Sequence, residues 1–496
     1  MIATEKAIEK KIHVSTHTVS EFFQKDLGVI ALPPYQRPYV WNRQKIEQLF
    51  QDLLEHFFNY SKGKFIFDEN APLYYLGSVL FHENADNEKF YIIDGQQRIT
   101  TLLLIDKKVH KSSSILDQGK WNLNYNSRLS TAHIKKNFVE LTSYEHFNVI
   151  ADYLSSIYSK LVLSFIVTNS EDDAFTFFDS QNNRGVSLDA VDFLKSYHLR
   201  ELKEKEEEQK VFVKKWDSNN AGQALNHLFE IVLWRSRNWK GNAIQFENKD
   251  LILESFQKNT KQTNGAGIKL YANKNNVLAT SLSFTAQKGL KLELAPLFVQ
   301  ASPEEYPFAL RQPIYKGAGF FLYVEKYYHL YNILFQADGN EYVMYVSKNL
   351  IKDYNYYFQN FFKLLVVMYY DKFKDEQLFA FMLWTDYLLG AFRVNQATIV
   401  SQTAVKILRD YKQNLIDVIE AAYDPEDIID FIKHYKISGN DLKAIYAKPI
   451  NEYGAENGIR NRYRKTVLDF YGIDEKSPLT EKYLWIANKI NSSKHA

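Results

Sequence analysis

The spacing of apolar residues after residue 42 predicts a long amphipathic helix. Apolar side chains recur at intervals of three and four residues, which places them on one helical face. They are Ile46, Leu49, Phe50, Leu53, Leu54, Phe57 and Phe58. Asn42 stands where a helix N-cap is expected, because its side chain can accept a hydrogen bond from the first turn.

Two apolar runs further along predict a β-hairpin that leads into a polar corner. The runs are separated by the turn-rich segment HENADNE, and the second continues as FYIIDGQQRITTLLLI, residues 90–105. Residues 90–93 are typical of a short buried strand, whereas residues 99–105 fit only a helix at this spacing. The polar pentad Asp94 to Arg98 therefore lies at a strand-to-helix corner, where the unpaired N–H groups of a first helical turn suit an anion.

The rest of the pattern predicts an α+β protein. LVLSFIV near residue 161 is another strand candidate, and beyond residue 220 the pattern is helical and rich in Tyr and Phe. The apolar stretch Leu378 to Phe392 is interrupted by Asp386 and is shorter than the roughly 20 residues that span a bilayer, so we expect a core helix. We predict a first domain at residues 1–200 and a mainly α-helical region at residues 201–496, which has room for two subdomains.

Composition limits the classes of function. The chain has 496 residues, which is long for one hydrophobic core, and 46% of them are apolar. A net charge of +2 gives no overall attraction to nucleic acid or membrane, so any such site must be local. The absence of cysteine excludes disulfides, thiolate metal sites and a cysteine nucleophile. With no signal-peptide pattern at the N-terminus, we expect a cytoplasmic protein without membrane contact.

Three polar clusters in the first 200 residues differ from ordinary surface. They are Tyr35-Gln36-Arg37, the pentad Asp94 to Arg98, and Asn182-Asn183-Arg184 before Gly185. Each has a structural explanation by itself, because Gln and Arg can cap helices, Asp94 can hold a turn, and Asn-Arg-Gly can end a helix.

Together, the motifs that contain these clusters resemble the N-terminal domain of GmrSD-type restriction endonucleases, the DGQQR family with a ParB/sulfiredoxin-like fold. The motifs LPPYQRPYVW, YYLGSVL, IIDGQQRITTL and NNRGVSLDAVDFLK follow the family's order over residues 15–200. By this resemblance, Gln36 and Arg37 correspond to the QR motif and the pentad to DGQQR. The N-x-R-G motif corresponds to Asn182, Arg184 and Gly185. The departures from the family pattern leave every polar motif residue in place; they are Ile99, Gln181 and Ser187.

The resemblance implies that the first domain binds a nucleoside triphosphate, and the residues of the pentad lead us to expect Mg²⁺ with it. Studied members also hydrolyse the nucleotide and act against foreign, often modified, DNA. Arg98 offers a planar fork of donors that matches phosphate oxygens, and Gly95 lets the backbone approach a ligand. Asp94 is expected to hold Mg²⁺ through water, or to orient Arg98 or an attacking water.

We therefore select two sets of candidate residues in this domain. The candidate catalytic residues are Asp94, Gln97 and Arg98. The candidate nucleotide-binding residues are Tyr35, Gln36, Arg37, Gly95, Gln96, Thr100, Thr101, Asn182, Arg184 and Gly185. The chain lacks the GxxxxGK[ST] pattern, so a P-loop mechanism is not expected.

No nuclease signature follows the first domain. Two-domain members of the family end in an HNH-type domain, commonly marked by His-x-x-Pro, and that pattern does not occur in this sequence. The histidines after residue 300 are isolated and begin no metal-ligand cluster; they are His329, His434 and His495. We therefore expect no metal site of this kind, no DNA cleavage by this chain alone, and a nuclease on a partner chain.

One basic stretch is a local candidate for a nucleic-acid surface. Between Ser255 and Leu292 there are six lysines and no acidic residue. A solvated loop explains this composition; alternatively, spaced lysines neutralise DNA phosphates without reading sequence. The candidate DNA-binding residues are Lys258, Lys261, Lys269 and Lys274.

The leading hypothesis is a nucleotide-binding, NTP-hydrolysing sensor or regulatory subunit of a DNA-targeting restriction or anti-phage defence system. The alternative is a non-enzymatic DNA-binding or scaffold protein that uses nucleotide only as a switch, or not at all. The sequence leaves open which nucleotide, which DNA modification and which partner are involved, and it allows an oligomer.

Overall fold

The structure is a computed structural model that describes most of the chain. The described residues are 12–25, 28–33, 36, 38–84, 88–118, 120–125, 128–170, 173–174, 189–202, 206–220, 223–261, 280–285, 289–294, 302–336, 338–396 and 398–493. The chain divides into two compact units. The first comprises Met1–Leu188 with Glu204–Asp217, and the second comprises Asp189–Lys203 with Ser218–Ala496.

A six-stranded mixed sheet with the order β1-β8-β5-β6-β2-β7 forms the centre of the first unit. Its strands are β1 (Ile12–Thr18), β2 (Val29–Ala31), β5 (Tyr74–Asn84), β6 (Lys89–Asp94), β7 (Trp121–Asn122) and β8 (Leu161–Thr168); β3 (Phe58–Ser61) and β4 (Lys64–Phe67) form a separate hairpin. Strand β8 pairs antiparallel with β1 and parallel with β5, and β5 pairs antiparallel with β6. Both the predicted hairpin before the polar corner and the strand near residue 161 are confirmed.

The helices of this unit place the polar corner. They are α1 (Val19–Gln24), α2 (Arg43–Phe57), α3 (Gln96–His110), α4 (Arg128–Glu140), α5 (Phe147–Asp152) and α6 (Leu154–Lys160). Helix α2 has the predicted cap, because the Asn42 side chain accepts a hydrogen bond from the Lys45 N–H at 3.1 Å. Helix α3 buries Ile99, Leu102 and Leu103 in the same core as Val79 and Phe81 of β5. This packing fixes the first turn of α3 at the end of β6.

The second unit is mainly helical. Helix α7 (Ala190–Arg200) belongs to this unit, and α8 (Glu206–Asn219) crosses the division between the units. The later helices are α9 (Ala224–Leu228), α10 (Arg235–Asn238), α11 (Lys249–Leu253), α12 (Ala318–Phe335), α13 (Glu341–Val346), α14 (Tyr356–Phe373), α15 (Leu378–Asn395), α16 (Ser401–Arg409), α17 (Leu415–Ala421), α18 (Pro425–Lys433), α19 (Leu442–Tyr446), α20 (Ile459–Tyr471) and α21 (Lys482–Ser493). The π-helical turns are Phe229–Trp234, Glu254–Lys258 and Ser347–Ile351. Two short hairpins pair β9 (Thr280–Thr285) with β10 (Gly289–Leu294), and β11 (Lys436–Ile437) with β12 (Asn440–Asp441). Short 3₁₀ turns occur at Lys111–Ser113, Ile115–Gln118, Leu141–Ser143, Pro303–Glu305 and Ile450–Tyr453.

The core of the second unit is built around α14 and α15, which are buried along most of their length. The predicted core helix at residues 378–392 is therefore confirmed. Its Asp386 is fully buried and forms an ion pair with Lys482 of α21 at 2.7 Å. Among the described helices, none combines the length and the apolar character that crossing a bilayer requires. The predicted α+β class, with an N-terminal sheet followed by a mainly helical region, is confirmed.

Candidate functional site

The polar corner begins at the end of β6, where Asp94 is followed by Gly95. Gly95 has φ +91° and ψ 0°, and it serves as the N-cap of α3 without a side-chain cap. A Cβ on Gly95 would lie 2.9 Å from Val79 Cγ2, so the tight contact with β5 also requires glycine. The first N–H groups of α3 thus donate to no capping side chain, and they carry the partial positive charge of a helix N-terminus.

Arg98 extends from the first turn of α3 along β5. Its Nη1 donates a hydrogen bond to the Leu76 carbonyl at 3.2 Å, and its Nη2 lies 3.9 Å from Asp94 Oδ2. The side chains of Arg98 and Asp94 are 23% and 21% exposed. Among the described residues, Leu76 provides the one hydrogen bond that Arg98 makes. Since a guanidinium has five donors, most of its capacity remains for a ligand.

Gly77 determines where Arg98 can lie. It has φ +125° at a register irregularity of β5, and a Cβ there would stand only 2.0 Å from Arg98 Nη1. Any larger residue would therefore displace the guanidinium. Sequence reasoning did not select Gly77 as a site residue, although a glycine inside a strand is a known signal of a bulge or a close approach.

Gln96 is a buried amide whose hydrogen-bonding capacity is only partly used. The residue is 3% exposed, and its Oε1 accepts a hydrogen bond from Gln97 Nε2 at 2.8 Å. Its Nε2 has no hydrogen-bond partner of normal geometry among the described residues. The Tyr125 hydroxyl lies close: burial raises the pKa of Tyr125, and the side chains of Thr100 and Gln96 oppose that rise. Because buried amides are rarely left unpaired, this donor is suited to a ligand atom.

The Gln97 side chain forms hydrogen bonds with the backbone of residues 38–41. Its Oε1 accepts hydrogen bonds from the N–H groups of Val40 at 2.9 Å and Trp41 at 3.3 Å. Its Nε2 donates to the Pro38 carbonyl at 2.9 Å as well as to Gln96. A catalytic role for Gln97 would require one of these contacts to be exchanged for a contact with substrate.

Thr100 and Thr101 are buried on the inner side of α3. Thr101 donates to the Gln97 carbonyl at 2.9 Å and lies 2.9 Å from the Tyr39 hydroxyl, while Thr100 contacts the Tyr125 hydroxyl. Burial raises the pKa of Tyr39, so this phenol stays protonated at neutral pH. These contacts make both threonines part of the support of the corner in the present arrangement.

Gln36 brings the QR segment to the corner. Its Nε2 donates hydrogen bonds to the Ile92 carbonyl at 2.8 Å and the Ile93 carbonyl at 3.2 Å, immediately before Asp94. The other members of the two remaining motifs, Tyr35, Arg37, Asn182, Arg184 and Gly185, lie outside the described residues. Their assignment to the nucleotide-binding site thus stays a prediction.

Comparison with known families matches residues 19–199 to the GmrSD restriction endonuclease, N-terminal domain. Residues 19–199, called the GmrSD-type domain below, are thus similar to that family. This agrees with the resemblance carried by the motifs, and it connects the domain with restriction systems.

Other comparisons reach the remainder of the chain. Residues 208–445 match a family of unknown function, DUF7834. An uncharacterized protein of Methanocaldococcus jannaschii is 25% identical over 239 residues, which cover 36% of this chain and 41% of that protein. The chain therefore aligns with less than half the length of this relative.

The GmrSD-type domain offers a carboxylate for a divalent ion in Asp94. Among the described residues there is no group of three His, Cys, Asp or Glu side chains that could hold a metal by itself. A single carboxylate that shares Mg²⁺ with phosphate oxygens and water is, however, the usual arrangement for a nucleotide-bound ion. Asp94 thus fits Mg²⁺ that arrives with a triphosphate.

The basic stretch belongs to the second unit. Lys258 ends a π-helical turn, and both Lys258 and Lys261 are exposed. The backbone of Lys261 is fixed by hydrogen bonds with Ile314 and Lys316 at 2.9 and 3.0 Å. Lys269 and Lys274 lie outside the described residues, so DNA binding by the four lysines stays a prediction.

Proposed function

We propose that the GmrSD-type domain binds and hydrolyses a nucleoside triphosphate, as the sensor or regulatory part of a DNA-targeting restriction or anti-phage defence system. In this proposal a partner chain carries the nuclease, and the bound DNA includes modified DNA. The observation that carries the proposal is the guanidinium of Arg98, which makes one hydrogen bond among the described residues and lies in the first turn of α3, where the N-terminus has no side-chain cap and Gln96 Nε2 has no hydrogen-bond partner of normal geometry.

Each of these three groups can donate a hydrogen bond to a phosphate oxygen. Arg98 offers charged, planar donors, and charge-assisted hydrogen bonds to phosphate are about twice as strong as neutral ones. The first turn of α3 adds free N–H groups, and a helix N-terminus favours an anion by about 0.3–1 kcal/mol. Gln96 adds a neutral donor that is already desolvated, so binding does not have to strip water from it.

Asp94 would by itself repel the phosphate groups that Arg98 attracts. Mg²⁺ removes this conflict, because Asp94 would hold the ion directly or through water while the ion neutralises phosphate charge. Without nucleotide, Asp94 keeps the guanidinium near the corner through their 3.9 Å ion pair. Gln36 and Gln97 hold the surrounding backbone, so the donors are positioned before the ligand arrives.

The alternative is nucleotide binding without hydrolysis. It is favoured by the contacts of Gln97, whose amide accepts from Val40 and Trp41 and donates to Pro38 and Gln96. In this arrangement no spare donor of Gln97 is available to orient an attacking water. A switch that binds nucleotide and changes DNA or partner affinity would need no such group.

Turnover of radiolabelled ATP and GTP by the purified chain, with and without DNA, separates the two functions. Hydrolysis that DNA stimulates is the expected result. Tight binding in calorimetry with no turnover under any condition would favour the switch. Absence of both binding and turnover would contradict the proposal.

Arg98→Ala is expected to weaken triphosphate binding by about 2–5 kcal/mol, because it removes a charged donor from a partly desolvated site. The fold should survive, since Arg98 makes one hydrogen bond within the described structure. Lys45→Ala is the matched control, because this exposed cation on α2 has no role at the corner. Isothermal titration calorimetry measures both variants, and unchanged affinity in Arg98→Ala would contradict the assigned role.

A further inference from the structure

The helical unit contains a half-buried cationic cluster that the proposed function does not use. Lys363 of α14 places its ammonium over the rings of Tyr331 and Phe335 of α12, at 5.9 and 5.7 Å from their centroids. His227 of α9 contacts the same Tyr331, with ring centroids 6.1 Å apart. Three helices therefore contribute side chains to one cluster.

Among the described residues, Lys363 has no counter-ion of the kind that normally accompanies a half-buried ammonium. In the part of the chain that the structure describes, no carboxylate forms an ion pair with it, and burial lowers its pKa without an opposing charge. Withdrawal of a charge from water is unfavourable unless a partner compensates. The aromatic faces supply part of that compensation through cation–π attraction. The remaining imbalance makes the cluster complementary to an anion.

Asn360, three residues before Lys363 on α14, is a second unsatisfied group. It is 3% exposed, and its Nδ2 has no hydrogen-bond partner among the described residues. Positions 356, 360 and 363 follow one face of α14, since they are spaced by four and three residues. The Tyr356 side chain at the start of this face is 61% exposed. An amide donor, an ammonium and an exposed ring thus lie in one row.

Lys363 is the charged group of this cluster, because the neighbouring titratable side chains are neutral or already paired. Burial lowers the pKa of His227, and the charges of Lys363 and Arg235 lower it further, so the imidazole is neutral near pH 7. Burial raises the pKa of Tyr331 to about 12, so its hydroxyl keeps its proton. Arg235 is already paired with Glu247. His227 and Tyr331 therefore offer neutral polar groups beside a single cation.

We infer that this cluster binds a nucleoside phosphate unit, with the phosphate on Lys363 and Asn360 and the base stacked on Tyr356. A cation for the phosphate and an exposed aromatic face for the base are the combination used by single-strand-binding grooves. Two sources supply this unit: a free mononucleotide, or one residue of a single-stranded nucleic acid. The inference does not depend on the triphosphate site, because its residues lie on α9, α12 and α14.

Binding of dTMP by calorimetry and of fluorescein-labelled dT10 by anisotropy tests the inference. Both probes are used on the full chain carrying Arg98→Ala, so the triphosphate site at α3 does not contribute. In that background Lys363→Met should weaken binding at least tenfold. Tyr356→Ala should weaken it by roughly 5- to 150-fold, the range for loss of one stacked base. Lys348→Met, an exposed lysine of the same unit, is the control and should change affinity less than twofold.

The two probes distinguish the sources of the ligand. Binding of both assigns the site to mononucleotides as well as strands, whereas binding of dT10 alone assigns it to single-stranded nucleic acid. Failure of both probes at millimolar concentration would overturn the inference, as would equal affinities in Lys363→Met and its parent. Thermal unfolding checks the fold, and Lys363→Met should raise the melting temperature because it removes an uncompensated charge. Should that variant not fold, Tyr356→Ala decides, since its ring is exposed.

Discussion

At the scale of single residues, the corner depends on the absence of a side chain at Gly77. The Arg98 guanidinium occupies the space that a Cβ would need, and its Nη1 donates to the carbonyl of the preceding residue, Leu76. The position is left-handed as well as crowded, with φ +125°. Conformation and close approach thus both require glycine here, and both serve the placement of one arginine.

Gly77→Ala should weaken triphosphate binding about as much as Arg98→Ala does, because the new Cβ displaces the guanidinium. It should also destabilise the fold by about 1–3 kcal/mol, the cost of a strained backbone position. Calorimetry with nucleotide and thermal unfolding measure the two effects.

Gly63→Ala separates strain from displacement. Gly63 has φ +79° in the β3–β4 turn, and a Cβ there would meet no atom within 4 Å. This variant should lose stability of about 1–2 kcal/mol and keep full nucleotide affinity. Equal loss of affinity in both glycine variants would show that Gly77 acts through general stability rather than through Arg98.

His198 in the helical unit is a buried base held neutral by its contacts. Its Nε2 donates to the Phe256 carbonyl at 2.8 Å, its Nδ1 accepts from the Gly317 N–H at 3.2 Å, and its ring stacks on Phe320 with centroids 3.7 Å apart. Burial lowers its pKa to about 3. In the unfolded chain the same group takes up a proton near pH 6.5.

His198 should therefore make the helical unit less stable in mild acid. Its contribution is present above pH 6.5 and is lost as the pH falls towards 3, because the unfolded chain binds the proton first. The free energy of unfolding should therefore be about 2 kcal/mol lower at pH 5 than at pH 7 because of this group. Denaturant unfolding measures the free energy of unfolding at the two pH values. The difference between them should be smaller for His198→Gln than for the parent protein. Identical differences would exclude His198 as the titrating group.

At the scale of elements, α15, α20 and α21 are tied together by one buried polar cluster. Asp386 of α15 and Lys482 of α21 are both fully buried and lie 2.7 Å apart. Tyr463 of α20 accepts a hydrogen bond from Lys482 at 2.6 Å and donates to Asp386 at 3.1 Å, while Tyr354 donates to Asp386 at 2.8 Å. The burial of each charge is thus compensated by a group on another element.

Lys482→Met should destabilise the helical unit by about 3–5 kcal/mol, because it leaves the Asp386 carboxylate buried without its counter-ion. Lys436→Met is the matched control, since Lys436 pairs with Asp441 at 3.2 Å on the exposed surface, where a pair contributes less than about 1 kcal/mol. Urea unfolding of both variants gives the comparison. A similar small loss in each would mean that the tyrosine hydroxyls satisfy Asp386 without the lysine.

At the scale of the whole molecule, the chain assigns its candidate functions to different units. The GmrSD-type domain, with the candidate triphosphate site, lies almost entirely in the first unit, whereas the exposed Lys258 and Lys261 belong to the second. With a net charge of only +2, the proposed DNA binding would depend on such local cations rather than on the overall field.

Joint replacement of Lys258, Lys261, Lys269 and Lys274 by Ser should weaken binding to all DNA sequences and flatten the salt dependence. The slope of log affinity against log salt should fall by about 1 for each lysine that neutralises a phosphate in the parent protein. Nucleotide affinity should not change. The control replaces four exposed lysines elsewhere in the unit with the same change in charge; they are Lys348, Lys352, Lys412 and Lys436. Equal DNA affinity of the two variants would assign the basic stretch to a solvated loop.

The sequence by itself determined those features that depend on near neighbours along the chain. Periodicity and capping within one or two turns were enough to predict four features: the cap and apolar face of α2, the hairpin before residue 94, the turn into α3, and the core helix at residues 378–392. The DGQQR-type motifs likewise indicated the family whose model matches residues 19–199, because they are runs of adjacent residues.

Only the tertiary structure decided which of the motif side chains remain available. Gln97 bonds to a segment 56–59 residues earlier in the chain, and Arg98 rests against a glycine of another strand. Asp386 and Lys482 meet across 96 residues, while Lys363 meets aromatic rings and no carboxylate within the described structure. The spacing of apolar residues along the chain does not identify such partners. It determines which face of a helix or strand is buried, but not which polar side chain from a distant segment contacts that helix or strand.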